Sequence, residues 1–452
     1  MKRLYIIIIF LLFVNNLVYA NELTIDINNI ESKKISIVFE KINKIDIKNF
    51  DFDIVDKILK NIKNNLYTTS LFNIKNSNSN IFKSDNNNNI EKLSSIDLNS
   101  LVMSKYNKSS FDAVMSGFLE VNSSGQVELK IRLWDILDQR ELFYKSYIID
   151  ETNWKKISDI ISDMVFEFLT GEVSGHFDSK IIFVSESGSP KNRQKRIAMM
   201  DFDGSNLQYI TNGTNLVLTP IFSKYNKDEI IYLEYKNKKP HIFKLNLSNK
   251  KLILIGNIAE MTFAPNFNPS GLNEIIFSGT NDGYSNIYKL NFDEGKIRQL
   301  TYDKAISTAP SWSPDAEKIV FVSDKTGVRK LYVMDKNGSN IEMISKGRGI
   351  YDKPSWSPDG KLISFVKMEK GEFSIGLMTP DGDSERSIMN AYLVEGIKWS
   401  PNGRYLIYSK QEGPFGKASI PSIYTIDILT GIEYKIPTPK NQGATDPDWI
   451  IK

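Results

Sequence analysis

Residues 310–315 read PSWSPD, and residues 354–360 read PSWSPDG. Weaker copies of this motif are PIFS at 220–223, PNFNPSG at 265–271 and IKWSPNG at 397–403. The aromatic residue of the motif falls at positions 222, 267, 312, 356 and 399, in steps of 45, 45, 44 and 43 residues. Such regular spacing indicates an internal repeat and therefore an array of similar structural units.

Each repeat contains four short strand-like runs. In the repeat that begins at Pro310, the motif is followed by KIVFVS at 318–323, LYVMDKNG at 331–338 and IEMIS at 341–345. A period of this length with four short strands predicts a blade of a β-propeller. One twisted sheet cannot cover its own two faces, whereas blades stacked around an axis cover each other. We expect the aromatic of each motif to pack where neighbouring blades meet.

The two ends of the repeat region predict how the ring closes. Residues 181–211 supply three strand-like runs of a blade that lacks its first strand, and DPDWI at 446–450 resembles the missing motif. A C-terminal strand that joins the first blade as its innermost strand would seal the ring, because closure removes the exposed end faces. The sequence therefore predicts six blades over residues 178–452.

The first twenty residues are typical of an export signal. Lys2 and Arg3 precede an unbroken apolar run at 4–14, and Val18-Tyr19-Ala20 suits a leader peptidase. Eleven apolar residues are too few for the ~20 that a bilayer-spanning helix needs. We expect cleavage after Ala20, export of the chain and no transmembrane segment in the mature chain.

The region between the leader and the propeller shows no repeat. Residues 21–32 contain an alternating run at Leu23, Ile25 and Ile27, and residues 33–172 predict a small α/β domain. Alternation predicts a mixed sheet, and apolar residues at helical spacing predict two helices. The strands are expected at 34–39, 111–119, 126–134 and 141–149, and the helices at 53–66 and 153–169. Residues 73–89 are Asn-rich and are expected to be a loop or a disordered insert. The expected fold class is an α/β N-terminal domain followed by an all-β six-bladed β-propeller closed by the C-terminal strand.

Composition excludes several classes of function. The chain has no Cys, only two His and a net charge of +3 over 452 residues. Thiolate chemistry is excluded, His-based metal sites are disfavoured, and the charge is too small for a nucleic-acid binder. No Gly-x-Ser-x-Gly or His-Glu-x-x-His motif occurs. We predict no catalytic residues, no metal ligands and no cofactor.

The order of leader, small α/β domain and six blades resembles the TolB family, the periplasmic propeller proteins of the Tol–Pal system in Gram-negative bacteria. The likeness includes FEFLTG at 166–171 and DFDG at 201–204. It implies a non-enzymatic, monomeric adaptor that binds the lipoprotein Pal with its propeller and TolA with its N-terminal strand. Such an adaptor supports outer-membrane integrity and envelope constriction at cell division. Other outer-membrane lipoproteins are further candidate partners. The alternative is a propeller enzyme or small-molecule binder that uses the central channel.

The resemblance also implies site residues. Residues 21–32 would be a mobile N-terminal segment. Within it, the residues that bind TolA would be Asn21, Glu22, Leu23, Thr24, Ile25, Asp26 and Ile27. The rim that binds Pal would lie on the loops that enter the innermost strands, just before the Pro-x-Trp motif. Carried over by position and by the repeat, this rim comprises Met261, Thr262, Ala264, Thr308, Tyr351, Asp352, Lys353 and Glu395, with Thr219 on the same side. Members of the family often carry His where this chain has Met261.

Overall fold

The computed structural model describes residues 34–42, 50–77, 95–106, 109–172, 176–189, 192–255, 261–411 and 420–452, excepting the side chains of 95–97. The leader, the segment predicted to bind TolA and residues 78–89 of the Asn-rich insert lie outside these ranges. In the described ranges, no helix has both the length and the hydropathy that crossing a bilayer requires.

Within the described residues up to 172, the N-terminal region is a five-stranded mixed sheet with three helices. The strand order is β2-β1-β3-β4-β5, and β1 runs parallel to β2 and β3 whereas the remaining pairs are antiparallel. The elements are β1 (Ile35–Glu40), α1 (Asp53–Thr68), β2 (Phe72–Ser77), α2 (Ser95–Tyr106), β3 (Ala113–Val121), β4 (Val127–Asp135), β5 (Arg140–Ile148) and α3 (Trp154–Thr170).

Apolar spacing accounts for the predicted helices of this region. In α1, Ile54, Ile58, Ile62 and Leu66 are buried along one face, and α1 and α3 share one hydrophobic core with the sheet. Helix α3 ends at Gly171, whose φ of 72° lets its N–H bond the carbonyl of Glu167 over 2.8 Å.

Two elements of the α/β region were not predicted from sequence. Helix α2 was missed, and the expectation of a loop throughout 73–89 is wrong for residues 73–77. Those residues belong to β2, which pairs in parallel with β1 from Ile35 opposite Phe72. The pairing provides hydrogen-bonding partners for the backbone N–H and C=O groups of this segment, whose side chains are mostly polar and exposed.

The remainder of the described chain forms six four-stranded antiparallel sheets, which are the blades. From the innermost strand outward, the blades are as follows: blade 1, β29 (Gly443–Ile451), β6 (Ser179–Ser187), β7 (Gln194–Asp201), β8 (Gln208–Tyr209); blade 2, β9 (Val217–Phe222), β10 (Glu229–Lys236), β11 (Lys239–Asn246), β12 (Leu252–Ile255); blade 3, β13 (Met261–Phe267), β14 (Glu274–Asn281), β15 (Tyr284–Asn291), β16 (Lys296–Gln299); blade 4, β17 (Ser307–Trp312), β18 (Lys318–Ser323), β19 (Lys330–Asp335), β20 (Glu342–Met343); blade 5, β21 (Ile350–Trp356), β22 (Ile363–Glu369), β23 (Glu372–Met378), β24 (Arg386–Ala391); blade 6, β25 (Leu393–Trp399), β26 (Tyr405–Gln411), β27 (Ser422–Asp427), β28 (Glu433–Lys435).

Ring closure follows the prediction. Strand β29 pairs antiparallel with β6, and Trp449 stands opposite Ile181. The motif aromatics also lie where predicted, because each packs against its own blade and the preceding one. Trp312, for example, shares a core with Ile276 and Leu300 of blade 3. Six blades closed by the C-terminal strand are therefore confirmed.

Charge pairs and one apolar core join the α/β region to the propeller. Lys155 of α3 contacts the carboxylates of Asp201 and Asp203 in blade 1 at 3.6 and 3.2 Å, and Arg404 of blade 6 contacts Glu172 at 3.1 Å. Beneath them, Phe166 of α3 shares a core with residues of both blades. The α/β region is thereby fixed against blades 1 and 6.

Candidate functional site

A ring of six β-bulges surrounds one mouth of the central channel. In every blade, the pairing of the innermost strand with its neighbour shifts at one point. One residue per bulge has positive φ: Thr219 (46°), Ala264 (48°), Ala309 (50°), Lys353 (49°), Gly396 (67°) and Asp446 (50°). Residues other than Gly, Asn and Asp seldom adopt this conformation, and such strain concentrates at functional positions. Bulges of this kind re-aim side chains at the rim of a barrel or channel.

The bulges line a cavity of about 290 Å³ on the propeller axis, which we call the upper cavity. All six innermost strands contribute to its wall. It is lined by Thr219, Pro220, Ile221, Phe263, Ala264, Pro265, Asn266, Thr308, Ala309, Pro310, Asp352, Lys353, Pro354, Gly396, Ile397, Lys398, Asp446 and Pro447.

The predicted rim residues all lie within innermost strands, so their expected location on loops is wrong. In five of the six blades the bulge accommodates the motif proline, which has no N–H to donate, and the strand continues past it; in blade 6 Ile397 takes that position. Four of the eight predicted residues line the upper cavity: Ala264, Thr308, Asp352 and Lys353.

The other four predicted residues lie outside the cavity wall. Met261 is 45% exposed. Thr262 is buried, and its hydroxyl donates to the carbonyl of Pro240 over 3.4 Å. Glu395 is half-buried on β25. Tyr351 is fully buried, and its hydroxyl bonds both carboxylate oxygens of Glu385 at 2.9 and 2.8 Å. The side chain of Tyr351 therefore holds blade 5 together and is not presented at the surface.

The upper cavity carries charges of both signs. The carboxylate of Asp352 accepts a hydrogen bond from Arg329 over 2.8 Å and another from the backbone N–H of Lys353 over 2.8 Å. Within the described ranges, the ammonium of Lys353 has no hydrogen-bonding partner, and neither does the carboxylate of Asp446. The buried hydroxyl of Thr219 is likewise unpaired there. These groups are available to a polar partner at the mouth.

A second cavity of about 380 Å³, the lower cavity, continues along the same axis. Its wall contains the motif aromatics Phe222, Phe267, Trp312, Trp356 and Trp399. The two cavities share Ile221, Asn266 and Lys398. The channel therefore changes from a mixed polar rim to an aromatic interior.

The residue immediately before the aromatic in each motif faces this channel. Around the ring these residues are Ile221, Asn266, Ser311, Ser355, Lys398 and Asp448. Sequence reasoning missed them. The signal was available, since period-2 alternation turns this residue away from its aromatic neighbour and toward the axis.

The two charged residues of that ring differ in their surroundings. Asp448 is buried, accepts the backbone N–H of Phe222 over 2.7 Å and lies 3.4 Å from the ammonium of Lys224. Lys398 has no hydrogen bond or ion pair to any residue that the structure describes. Burial lowers the pKa of Lys398 below its usual 10.5, although Asp448 acts in the opposite direction.

The histidines do not form a reactive pair. His176 is buried at the junction of the α/β region with the propeller, and its ring lies 3.7 Å from that of Phe177 and 5.0 Å from that of Tyr405. His241 lies on β11 of blade 2. In the described part of the chain, no group of three or more His, Asp or Glu residues is placed to hold a metal ion.

Comparison with known proteins identifies the family. The sequence profile described as the TolB β-propeller domain matches residues 166–451, well over half of the chain. The chain belongs to this family. The TolB match begins at Phe166, near the end of α3, and extends through all six blades to the closing strand.

Solved TolB structures resemble the chain in fold. TolB from Acinetobacter baumannii has a TM-score of 0.75 and 18% identity, covering 93% of this chain and 98% of that one. A putative TolB from Agrobacterium tumefaciens has a TM-score of 0.48 and 18% identity, covering 60% and 98%. The first likeness includes the α/β region as well as the propeller, so the whole architecture is that of a TolB protein.

Proposed function

We propose that this chain is a periplasmic adaptor of the Tol–Pal system, which binds the lipoprotein Pal at the upper cavity and TolA through residues 21–27. In this role it supports outer-membrane integrity and envelope constriction at cell division. The observation that carries the proposal is a TolB propeller whose six innermost strands place strained residues and unpaired polar groups around one mouth.

The chemistry of the mouth suits a protein partner. Lys353 and Asp446 offer a cation and an anion, Thr308 adds a hydroxyl, and the motif prolines supply apolar wall. Mixed polar and apolar surfaces of this kind are typical of non-obligate interfaces. The bulges hold the rim in one conformation, which lowers the entropic cost of docking. We place the contacts with Pal on Ala264, Thr308, Asp352 and Lys353, with Met261 at the exposed edge.

The N-terminal segment is the proposed contact with TolA. Its sequence, NELTIDI at 21–27, alternates polar and apolar residues and suits addition to the edge of a partner's sheet. The leader predicts that cleavage after Ala20 exposes this segment at the N-terminus of the exported chain. The proposal places the two partners on different parts of the molecule, so the two interactions can be separated by mutation.

Pull-down from envelope extracts with the chain 21–452 tests the proposal. We expect both Pal and TolA to be retained. Deletion of residues 21–30 should abolish retention of TolA and preserve that of Pal. Equal TolA binding by the truncated chain would refute the role of the segment.

A charge reversal at the mouth tests the Pal site. We expect Lys353→Glu to weaken Pal binding by about 10- to 150-fold, since a hydrogen bond to a charged group is worth roughly 1.5–3 kcal/mol. Lys361→Glu is the matched control because Lys361 has an 81% exposed side chain on a turn outside both cavities. Unchanged Pal affinity in Lys353→Glu, or an equal loss in both variants, would remove the mouth as the docking site.

A further inference from the structure

The lower cavity has features that docking at the mouth does not require. It is enclosed by all six innermost strands and measures about 380 Å³, which lies within the usual range for small-molecule pockets. Its wall is mainly aromatic and aliphatic, with Trp312, Trp356 and Trp399 on one side. An apolar pocket with few polar groups is the usual form of a small-ligand site.

The charged side chains in the wall of the lower cavity leave one positive charge without a direct ion pair. Asp448, its one carboxylate, already accepts the N–H of Phe222 and faces Lys224. Lys398 lines both cavities and has no hydrogen bond or direct ion pair within the described residues, although the carboxylates of Asp448 and Asp446 attract it from a longer distance and the ammonium groups of Lys224 and Lys353 repel it. A cation held against apolar walls without a partner is costly, and an incoming anion would offset that cost.

Two other donors in the wall also lack acceptors. The indole Nε1 atoms of Trp312 and Trp356 are buried without a hydrogen bond among the described residues. The equivalent atom of Trp399 donates to the carbonyl of Ser355 over 2.9 Å, so the geometry permits a bond at this position of the blade. Because that bond runs between blades 6 and 5 and the two unpaired Nε1 atoms are fully buried, the tryptophans supply the cavity with apolar surface and leave Lys398 as the donor that a ligand can reach.

We propose that the lower cavity binds a small monocarboxylate with an apolar body, with the carboxylate at Lys398 and the body against the tryptophan wall. Lys224 and Lys227 also line the lower cavity, but the ammonium of Lys224 donates to the carbonyl of Trp449 and that of Lys227 to the carbonyl of Lys452. Among the described residues, Lys398 is therefore the lysine of this wall that can accept a single negative charge, and the aromatic lining excludes a fully hydrated inorganic ion from most of the volume. The proposed docking of Pal uses the bulge residues of the upper cavity, and Lys398 lies between the two sites.

Calorimetric titration of the full mature chain with three ring-matched probes tests the charge preference. Benzoate, benzamide and benzylamine differ mainly in charge at neutral pH. We expect benzoate to bind about tenfold more tightly than benzamide, the gain of one charged hydrogen bond, and benzylamine to bind least. No benzoate binding, equal affinities, or a preference for benzylamine would each overturn the proposal.

Variants then assign the charge preference to Lys398. Lys398→Met keeps the length of the side chain and should reduce benzoate affinity to that of benzamide, whereas Lys398→Arg should retain the preference. Lys361→Met, on an exposed turn, is the matched control and should behave like the parent. Full benzoate preference in Lys398→Met, or its loss in Lys353→Met instead, would overturn the assignment. If Lys398→Met fails to fold, the three-probe comparison and the arginine variant still decide the question.

Discussion

The indole Nε1 of Trp449 donates a hydrogen bond to the hydroxyl of Ser179 over 2.6 Å, although the two residues are 270 positions apart. Both side chains are fully buried. Ser179 begins the first strand of the propeller region, and Trp449 lies in its last. The bond therefore closes the ring within blade 1, at the core that the propeller shares with the α/β region.

Trp449→Ala should lower the free energy of unfolding by about 3–5 kcal/mol, the usual cost of removing a large buried aromatic. Trp449→Phe keeps most of the packing and loses the hydrogen bond, so we expect about 1–2 kcal/mol. Guanidinium denaturation measures both. Leu137→Ala is the control, because Leu137 is 84% exposed and should change stability by less than about 0.5 kcal/mol. An unchanged midpoint in Trp449→Ala would contradict this account of closure.

The motif tryptophans should differ in their need for an indole nitrogen. Trp399→Phe removes the bond to the carbonyl of Ser355, which keeps a 3.3 Å bond from the hydroxyl of Ser364, so we expect a loss of about 1–2 kcal/mol. Trp356→Phe removes a donor that has no acceptor among the described residues, so its loss should cost about 1 kcal/mol less than that of Trp399. Chemical denaturation of the two variants makes the comparison at matched positions of adjacent blades. Equal losses would show that the hydrogen bond does not matter.

Gly396→Ala tests the ring of bulges. Gly396 has a φ of 67°, and an added Cβ would lie 3.0 Å from Cα of Asp446 and 3.1 Å from Cδ of Pro447. Strain and crowding together should cost about 1–3 kcal/mol. The converse change, Ala309→Gly at a φ of 50°, removes strain and should be neutral or stabilising. Thermal unfolding of both variants measures the two changes in stability, of which only that of Gly396→Ala should be a loss. Destabilisation of equal size in both variants would contradict this prediction.

His176 should make the protein sensitive to acid. Burial, with a contribution from the charge of Arg404, lowers the pKa of His176 to about 3 from its usual 6.5. Between these values the unfolded chain binds a proton that the folded chain does not, so stability falls as pH falls. The slope from this residue is about 1.4 kcal/mol per pH unit.

The variant His176→Phe isolates that slope. Between pH 6 and pH 4, the parent should lose about 2–3 kcal/mol more stability than His176→Phe, as measured by urea denaturation at each pH. His241→Gln removes the other histidine and should retain the acid sensitivity of the parent. The prediction fails if His176→Phe and the parent lose stability in parallel.

The sequence predicts the propeller because burial requires a regular pattern. One aromatic per blade must fill the gap to the preceding blade, and its recurrence from Phe222 to Trp399 is visible without a structure. The closing strand was predictable for the same reason. The motif at Trp449 stands apart from the other five, and the blade at 181–211 lacks the strand that carries this motif. Strand β2 was not predictable, because its backbone pairing with β1 leaves little trace in an Asn-rich sequence.

The site was less accessible to sequence reasoning than the fold. The repeat indicated which end of each innermost strand surrounds the mouth of the channel. Four of the eight predicted rim residues line the upper cavity there. The burial of Tyr351 depends on Glu385, which is 34 residues away on another part of blade 5. The isolation of Lys398 depends on what all six strands place around the axis. Such relationships across strands cannot be inferred from periodicity within one strand.

The position of β29 has a consequence for biosynthesis. Translation proceeds from the N-terminus, so blades 2 to 6 are made before the strand that completes blade 1. Until residues 443–451 emerge from the ribosome, β6 presents an unpaired edge on the inner side of the incomplete ring. Closure of the ring therefore waits for residues 443–451, and a nascent chain that stalls before Gly443 exposes an open sheet edge to its neighbours.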